Sequence, residues 1–200
     1  MSDISAVLLA AGESSRMGRQ KALLPWRGST LLQYQANSLL RGGASQVIAV
    51  LGYRAETLRP LVQDIQGVVT VLNLRYRTGK TSSIRAGLRS LSPQDQVVLV
   101  LSVDQPRSSA LVRRVVEAHQ QHGSLITYPA YQGKGGHPVA FSASLLPELM
   151  RIRESRQGLR EVVDRHKAEV LRLEVDDQQA MLDLNREEDY QRALAAASVK

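Results

Sequence analysis

The first residues whose types and spacing could bind a ligand or catalyse a reaction form a loop that ends at Lys21. This loop begins with small residues and then carries two cations, in the order Leu9, Ala10, Ala11, Gly12, Arg16 and Lys21. Small side chains let the backbone approach a phosphate, and successive backbone N–H groups in such a loop form an anion-binding concavity. Arg16 and Lys21 would add fixed positive charge. The spacing favours the binding of a phosphorylated ligand, and the alternative is a glycine turn flanked by ordinary surface cations.

Two common phosphate-binding signatures do not match this loop. The P-loop pattern Gly-x4-Gly-Lys-Ser/Thr is absent because position 17 is Met. The dinucleotide fingerprint Gly-x-Gly-x-x-Gly is absent as well. The loop is therefore a phosphate-binding candidate of another kind.

A carboxylate follows another apolar segment, at the point where that segment ends. The run Val-Val-Leu-Val-Leu at 97–101 leads to Asp104, Gln105 and Pro106. Magnesium takes hard oxygen ligands, often one or two carboxylates together with substrate phosphates and waters. Asp104 suits that role, and the alternative is an Asp that caps a helix beginning near Ser108.

These residues need a scaffold that brings the ends of several strands together. Apolar, β-branched runs predict strands at 4–10, 46–51, 68–72 and 96–103, with weaker candidates at 125–128, 138–141 and 170–175. Helices are predicted at 31–41, 55–64, 82–91, from 108–109 onward and from 185 to 197. Alternating strands and helices predict an α/β fold with a mostly parallel sheet, in which ligands bind at the carboxyl ends of the strands.

Capping residues and turns refine this prediction. Thr30 with Gln33 predicts a capping box for the first helix, and Asn185 with Glu188 predicts the cap of the last one. The segment 131–136 is either an active-site loop or a hairpin connection.

Composition limits the classes of function. The chain has 200 residues, 43% of them hydrophobic, which predicts a single domain spanning 1–200 with a substantial core. Because cysteine is absent, the sequence excludes disulfides, thiolate zinc sites and a cysteine nucleophile. The net charge of +7 favours polyanionic partners, but the arginines are scattered and aromatic residues make up only 4%. We expect phosphorylated small molecules and no nucleic acid as partners.

The N-terminus has no basic region followed by a long apolar stretch, and no run approaches the roughly 18 apolar residues that a membrane helix needs. We therefore expect a cytoplasmic protein with no membrane partner.

The complete first loop resembles a family signature. Its string is Leu-Ala-Ala-Gly-x-Ser-x-Arg-Met-Gly-x-x-Lys, followed by Leu24-Pro25 and Gly28. It resembles the nucleotidyltransferases of the molybdopterin dinucleotide type and, within them, the molybdenum cofactor cytidylyltransferases. The guanylyl branch usually has Gly where this chain has Ala11. The resemblance runs from Val7 to about Tyr190.

The resemblance implies a Rossmann-like three-layer α/β/α fold, of the nucleotide-diphospho-sugar transferase type, and magnesium-dependent transfer of a nucleotidyl group. It implies that Lys21, Arg16 and Asp104 are catalytic. The nucleotide would be bound by the start of the first loop, by Lys21 and by a second loop. The residues of these two loops are Leu9, Ala10, Ala11, Gly12, Asn73, Gly79, Ser82 and Ser83. Lys80 stands where the family usually has Met, either as an extra cation beside the triphosphate or as a solvated lysine.

The resemblance also implies a metal site. Asp104 matches the family's metal-binding Asp-x-Pro, and Asp183 matches the first acid of Asp-Leu-Asp-Thr-Pro-Glu-Asp-Tyr. Asn185 replaces the second acid. Asp104 and Asp183 are therefore the predicted Mg²⁺ ligands, with a structural cap as the alternative for Asp183.

The predicted acceptor pocket comprises Gly136, His137, Pro138 and Arg160. The segment 136–139 resembles the family's Gly-His-Pro-Val, in which we read the histidine as a hydrogen-bonding or packing residue rather than a general base. Arg160 would bind a phosphate. The other histidines, His119, His122 and His166, are predicted to lie at the surface.

The predicted reaction is cytidylyl transfer from CTP to molybdopterin, with release of pyrophosphate. Near pH 7 the attacking phosphate is largely ionised, since its second pKa is about 6, so no strong base is needed. The alternatives are guanylyl transfer to molybdopterin, nucleotidyl transfer to a sugar phosphate and a non-catalytic cofactor carrier. A molybdoenzyme is a candidate recipient of the product.

Overall fold

In the computed structural model, which describes residues 3–197, strands and helices alternate along most of the chain. The strands are β1 (Asp3–Ala10), β2 (Pro25–Trp26), β3 (Ser29–Thr30), β4 (Gln46–Leu51), β5 (Val68–Leu72), β6 (Asp95–Ser102), β7 (Ile126–Tyr131), β8 (Lys134–Gly135), β9 (Val139–Ser142) and β10 (Val170–Glu174). The helices are α1 (Leu31–Arg41), α2 (Ala55–Val62), α3 (Lys80–Leu88), α4 (Ser109–His122), α5 (Leu146–Leu149), α6 (Leu159–Arg165) and α7 (Glu187–Ala197).

One mixed sheet organises the described residues. Its strand order is β10-β7-β9-β6-β1-β4-β5, with β8 paired to β7. The central strands β6, β1, β4 and β5 run parallel, and β9 is antiparallel to both of its neighbours. The strands β2 and β3 form a separate two-stranded hairpin. The predicted mostly parallel sheet is confirmed.

Apolar residues cover both faces of the sheet, which is why its strands are nearly continuous apolar runs. In β1, Ala6 and Leu8 face a core that includes residues of α1, α2, α4 and α7. Val7 and Leu9 point the other way, into a core shared with α3, α5 and α6. Helices therefore cover both faces, and the predicted three-layer α/β/α arrangement is confirmed.

The ends of α1 and α4 follow from local sequence. The Gln33 backbone N–H donates to Thr30 Oγ1 at 3.3 Å and the Thr30 N–H donates to Gln33 Oε1 at 3.2 Å, so the predicted capping box is confirmed. Ser108 caps α4 by accepting from the Leu111 N–H at 3.2 Å. Within residues 3–197, no helix combines the length and the apolar character needed to cross a membrane.

Two predictions need correction. His119 was expected at the surface, but it is 4% exposed and its Nδ1 lies 2.9 Å from Thr127 Oγ1. It stands one turn after the buried Val115, and the charged residues around it in the sequence occupy the other face of α4.

Asn185 does not cap α7 as predicted. The Asp189 carboxylate instead accepts from the Asn185 and Arg186 N–H groups, at 3.2 Å and 2.9 Å.

The segment 131–136 connects two strands. Ala130 pairs with Gly135 and Tyr131 with Lys134, so the segment contains a tight hairpin turn. Gln132 and Gly133 at its tip both have positive φ angles, 50° and 74°, as the favoured hairpin turns require. Of the two alternatives for this segment, the structure has the hairpin connection.

Candidate active site

A cavity of about 490 Å³ opens at the carboxyl ends of β1 and β6. Its walls come from the loop after β1, the loop after β5, the turn after β6 and the segment before α7. The predicted site residues in its lining are Leu9, Ala10, Ala11, Gly12, Arg16, Lys21, Gly79, Ser83, Asp104 and Asp183. Residues from four separate parts of the sequence therefore meet at the edge of the sheet where ligands bind in folds of this type.

An ion pair joins two walls of this cavity. Lys21 Nζ lies 2.8 Å from an Asp104 carboxylate oxygen and 3.4 Å from Asn185 Oδ1. Lys21 is only 7% exposed, and its backbone N–H donates to Ser14 Oγ at 3.1 Å. The ammonium group is thus held by two chain segments remote from its own.

The second carboxylate, Asp183, is held beside Asp104 through the backbone. The Leu184 N–H donates to the Asp104 carbonyl oxygen at 2.8 Å. Asp183 Oδ1 accepts from Gln105 Nε2 at 2.9 Å and lies 3.8 Å from the Arg107 guanidinium. The two predicted metal ligands therefore share one wall of the cavity.

The donor set fits magnesium as a partner of bound phosphate. Asp104 and Asp183 supply carboxylate oxygens and Asn185 supplies an amide oxygen, and all three residues line the cavity. These are hard oxygen ligands of the kind that magnesium takes. In the described part of the chain, no group of three or more His, Cys, Asp and Glu side chains could hold a metal ion by itself. The arrangement fits an ion that a nucleotide's phosphates also bind.

Arg107 is a functional candidate that the sequence did not reveal. It is 0% exposed and donates to the His137 carbonyl oxygen at 2.9 Å and the Leu182 carbonyl oxygen at 2.7 Å. Burial lowers the pKa of Arg107 to about 10, and nearby carboxylates, Asp183 foremost, oppose that shift. The side chain stays charged near neutral pH. It therefore connects the segment of Asp183 to that of His137.

Two buried amides shape the turn that carries Asp104. Gln35, which is 0% exposed on α1, accepts from the Arg107 N–H at 2.9 Å through Oε1 and donates to the Gln105 carbonyl oxygen. Gln105 is 5% exposed and bonds to Asp183 and His137 through its side chain. Its position next to Asp104 could have identified Gln105 as a site residue from the sequence. No sequence feature identifies Gln35, because an amide in an amphipathic helix is expected to face solvent.

The second loop divides into residues that face the cavity and residues that shape it. Gly79 and Ser83 line the cavity, whereas Asn73 Nδ2 donates to Ser82 Oγ at 2.9 Å and to Ser83 Oγ at 3.0 Å. The Asn73 Oδ1 atom accepts from the Arg75 N–H at 2.9 Å. Asn73 and Ser82 are buried, and the structure places them behind the cavity wall.

Charged neighbours surround this loop. The Glu154 carboxylate accepts from the Thr81 N–H at 2.9 Å, at the start of α3 where a nucleotide contact was expected. Arg77 bonds to Glu13 of the first loop at 2.7 Å, and this hydrogen bond lowers the pKa of Glu13. Lys80 is exposed and lines the cavity. An extra cation therefore stands at the cavity, as one of the two alternatives for Lys80 requires.

None of the four predicted acceptor residues is part of the cavity lining. His137 is half-buried, and its Nδ1 lies 3.0 Å from Nε2 of Gln105, a residue that does line the cavity. Burial, as the largest cause, and the cations Lys80 and Arg107 together lower the pKa of His137 to about 3. A neutral imidazole with this pKa is a very weak base at pH 7.

The remaining acceptor residues lie outside the lining of that cavity. A Cβ atom at Gly136 would collide with the Ala180 carbonyl oxygen, so glycine is required there. Arg160 is exposed on α6 with its Nε atom 3.7 Å from Asp164. The structure thus brings Gly136 to Pro138 close to the site but leaves Arg160 on the surface. The phosphate-binding role of Arg160 stays a prediction.

Comparisons with known proteins agree with this geometry. The family described as MobA-like NTP transferase domain matches residues 6–170. The nicotine blue oxidoreductase of Paenarthrobacter nicotinovorans is 34% identical over 153 residues, covering 72% of this chain and 73% of that protein. The molybdenum cofactor cytidylyltransferase of Escherichia coli K12 is 26% identical over 193 residues, covering 95% of each.

Solved structures are similar over nearly the whole chain. The crystal structure of Rv0371c from Mycobacterium tuberculosis H37Rv is 30% identical, with a TM-score of 0.82, and covers 97% of this chain and 98% of that chain. A second structure of that protein, with a TM-score of 0.77, is a complex with manganese. Together with the sheet order, these matches confirm the Rossmann-like fold.

Proposed function

Because this chain belongs to the MobA-like NTP transferase family, we propose that it is a cytidylyltransferase that joins CMP from CTP to the phosphate of a molybdopterin-type acceptor. The observation that carries the proposal is the cavity in which Lys21, Asp104 and Asp183 converge. A cation and two carboxylates at the end of a parallel sheet suit a triphosphate that arrives with a divalent ion. The resemblance of the first loop to cytidylyltransferases supports the choice of base.

The reaction forms a bond between an oxygen of the acceptor phosphate and the α-phosphorus of CTP. The bond from the α-phosphorus to the bridging oxygen breaks, and pyrophosphate leaves with that electron pair. The acceptor phosphate is largely ionised near pH 7, so it attacks without a strong base. Catalysis then depends on alignment and on stabilisation of charge.

The residues at the cavity have different roles in this reaction. Lys21 and Arg16, both at the cavity, bind phosphate oxygens and stabilise the charge of the departing pyrophosphate. Backbone N–H groups between Ala10 and Gly12 approach the nucleotide closely because the side chains there are small. Mg²⁺ held by Asp104 and Asp183 would supply further charge neutralisation on the phosphates.

Ala11 is the residue that we connect with the choice of CTP. It is 4% exposed, and Gly52 packs directly against it, since a Cβ atom at Gly52 would lie 2.9 Å from the Ala11 Cβ. Ala11 also lines the cavity, and the family resemblance associates Gly at this position with guanylyl transfer. We therefore expect that Ala11→Gly raises the ratio of GTP to CTP use, and an unchanged ratio would remove Ala11 as a determinant.

Pyrophosphate release tests the proposal directly. The protein is incubated with each of the four nucleoside triphosphates, with and without molybdopterin, in magnesium and in manganese. We expect release with CTP that depends on molybdopterin. Selective release with GTP, or release with a sugar phosphate as acceptor, would replace the proposal by one of the other transfer reactions.

Two further outcomes would contradict transferase activity. Tight nucleotide binding without pyrophosphate release would indicate a cofactor carrier. Oxidation or reduction of nicotine blue without nucleotidyl transfer would indicate the reaction for which the Paenarthrobacter relative is named. We expect the product to pass to a molybdoenzyme in the cytoplasm, without a nucleic acid or a membrane as partner.

A further inference from the structure

The side chain of Gln105 makes three hydrogen bonds that together define its orientation. Its Oε1 accepts from the Ser102 N–H at 3.3 Å, and its Nε2 donates to Asp183 Oδ1 at 2.9 Å. The same Nε2 lies 3.0 Å from His137 Nδ1. Since a backbone N–H only donates and a carboxylate only accepts, the amide has one orientation in which both of the first two bonds exist.

That orientation decides how His137 is protonated. With Oε1 directed to Ser102, the amide presents N–H to both Asp183 and His137 Nδ1. A hydrogen bond to Nδ1 then requires a lone pair on Nδ1, so the ring proton must be on Nε2. In the described residues His137 Nε2 has no hydrogen-bond partner, and the atom is not enclosed by protein.

The backbone around both residues is held as well. Gln35 accepts from the Arg107 N–H, and Arg107 Nε donates to the His137 carbonyl oxygen at 2.9 Å. The His137 N–H donates to the Ala180 carbonyl oxygen at 3.3 Å. The main chain of His137 is therefore held on both sides, and the bond to Gln105 orients its ring.

We propose that Gln105 is a positioning residue that holds His137 as the neutral Nε2–H tautomer. The ring then keeps an N–H that no described residue accepts, and an oxygen of the phosphorylated acceptor would accept it. The same amide also donates to Asp183 Oδ1. Gln105 thereby couples the acceptor residue to the carboxylate. The assignment of the acceptor rests on the proposed function, whereas the tautomer does not.

Nitrogen NMR of the protein labelled with ¹⁵N-histidine tests the tautomer without any activity. We expect His137 to show a protonated Nε2 and an unprotonated Nδ1 near neutral pH. In Gln105→Glu, a carboxylate replaces the donor that faces Nδ1, so we expect the proton to move to Nδ1. Gln120→Glu makes the same replacement on the exposed face of α4 and should leave the His137 signals unchanged.

Two results would overturn the tautomer assignment. One is an Nδ1–H tautomer in the unmodified protein. The nitrogen NMR spectrum of that protein tests the assignment even if Gln105→Glu does not fold. The other is a folded Gln105→Glu variant in which the His137 signals do not change.

Substitutions of His137 test the donor role. His137→Gln keeps a side-chain N–H donor and should retain kcat/KM for the acceptor within about 10-fold, whereas His137→Phe should lose about 100-fold. The KM for CTP should change little in either variant. Equal losses in both folded variants would contradict the donor role.

The experiments distinguish a failure of the tautomer assignment from a failure of the proposed function. A protein without nucleotidyl transfer but with the Nε2–H tautomer would overturn the function and leave the role of Gln105 toward His137 intact. Transfer activity with the opposite tautomer would do the reverse.

Discussion

The ammonium nitrogen of Lys21 lies 2.8 Å from a carboxylate oxygen of Asp104, although 83 residues separate them in the chain. The pair forms because β1 and β6 are adjacent parallel strands, so that the loop after one strand meets the turn after the other. The side chains of Lys21 and Asp104 are 9% and 27% exposed. A charge in so little water interacts strongly with any phosphate placed beside it.

Removal of either member of this pair should abolish most of the activity. We expect Lys21→Ala and Asp104→Ala each to reduce kcat by about 10²- to 10⁴-fold, because each removes a charge that stabilises the transition state. Initial rates of pyrophosphate release measure the effect, and circular dichroism checks the fold. Lys167→Ala and Asp64→Ala, at exposed positions, are the matched controls. A folded Asp104→Ala variant with nearly unchanged turnover would contradict the metal role of Asp104.

Replacement of Asn185 by an acid should strengthen metal binding. Asn185 Oδ1 lies 3.4 Å from Lys21 Nζ, in the wall that also carries Asp183. Because metal affinity rises with ligand charge, we expect Asn185→Asp to tighten Mn²⁺ binding by about 3- to 10-fold. Electron paramagnetic resonance of free Mn²⁺ measures the affinity, with exposed Gln63→Glu as the control. Equal affinities would place Asn185 outside the metal site.

Gly87→Ala should destabilise the protein although it lies within α3. An alanine in an exposed helix interior is normally more stable than a glycine by up to about 1 kcal/mol. Here an added Cβ would overlap Val7 Cγ1 and lie 3.0 Å from Val50 Cγ2, in the core between α3 and the sheet. We expect a net loss of about 1–3 kcal/mol in the free energy of unfolding, measured by urea denaturation.

Gly12→Ala is the control for that measurement, since a Cβ at Gly12 meets no atom within 4 Å. Its free energy of unfolding should change by less than about 0.5 kcal/mol. A gain in stability for Gly87→Ala would show that the helix moves away from β1 without penalty.

Mild acid should destabilise the protein through His119. Burial lowers the pKa of His119 below its ordinary value of 6.5. The imidazole is neutral in both states above that value, so its contribution is fully present there. As the pH falls below 6.5, the unfolded chain takes up a proton that the folded chain does not, and stability is lost.

Urea denaturation at about pH 7.5 and about pH 5.5 measures this effect. His119→Asn should lose less stability between the two values than the unmodified protein does. His137 shifts in the same direction and is present in both proteins, so the difference isolates His119. An identical pH dependence would contradict the buried neutral state.

The main strands, the first capping box and most of the cavity lining could be predicted from the sequence, because each is encoded by neighbouring residues. The apolar run of β6 predicts a strand between 96 and 103, and the structure has it from Asp95 to Ser102. Its end then places Asp104 at the ligand edge. The short strands β2, β3 and β8 were missed, since strands of two residues carry no periodic pattern.

The sequence by itself determined the layered α/β fold and the identity of the charged residues at the strand ends. Only the tertiary structure decided which polar residues are buried, as it did for Gln35, Arg107 and His119. Burial of a polar residue depends on partners that other segments supply, and the local sequence does not indicate those partners. The chemistry of the first loop could therefore be predicted from the sequence, whereas the protonation of His137 depends on an amide 32 residues away.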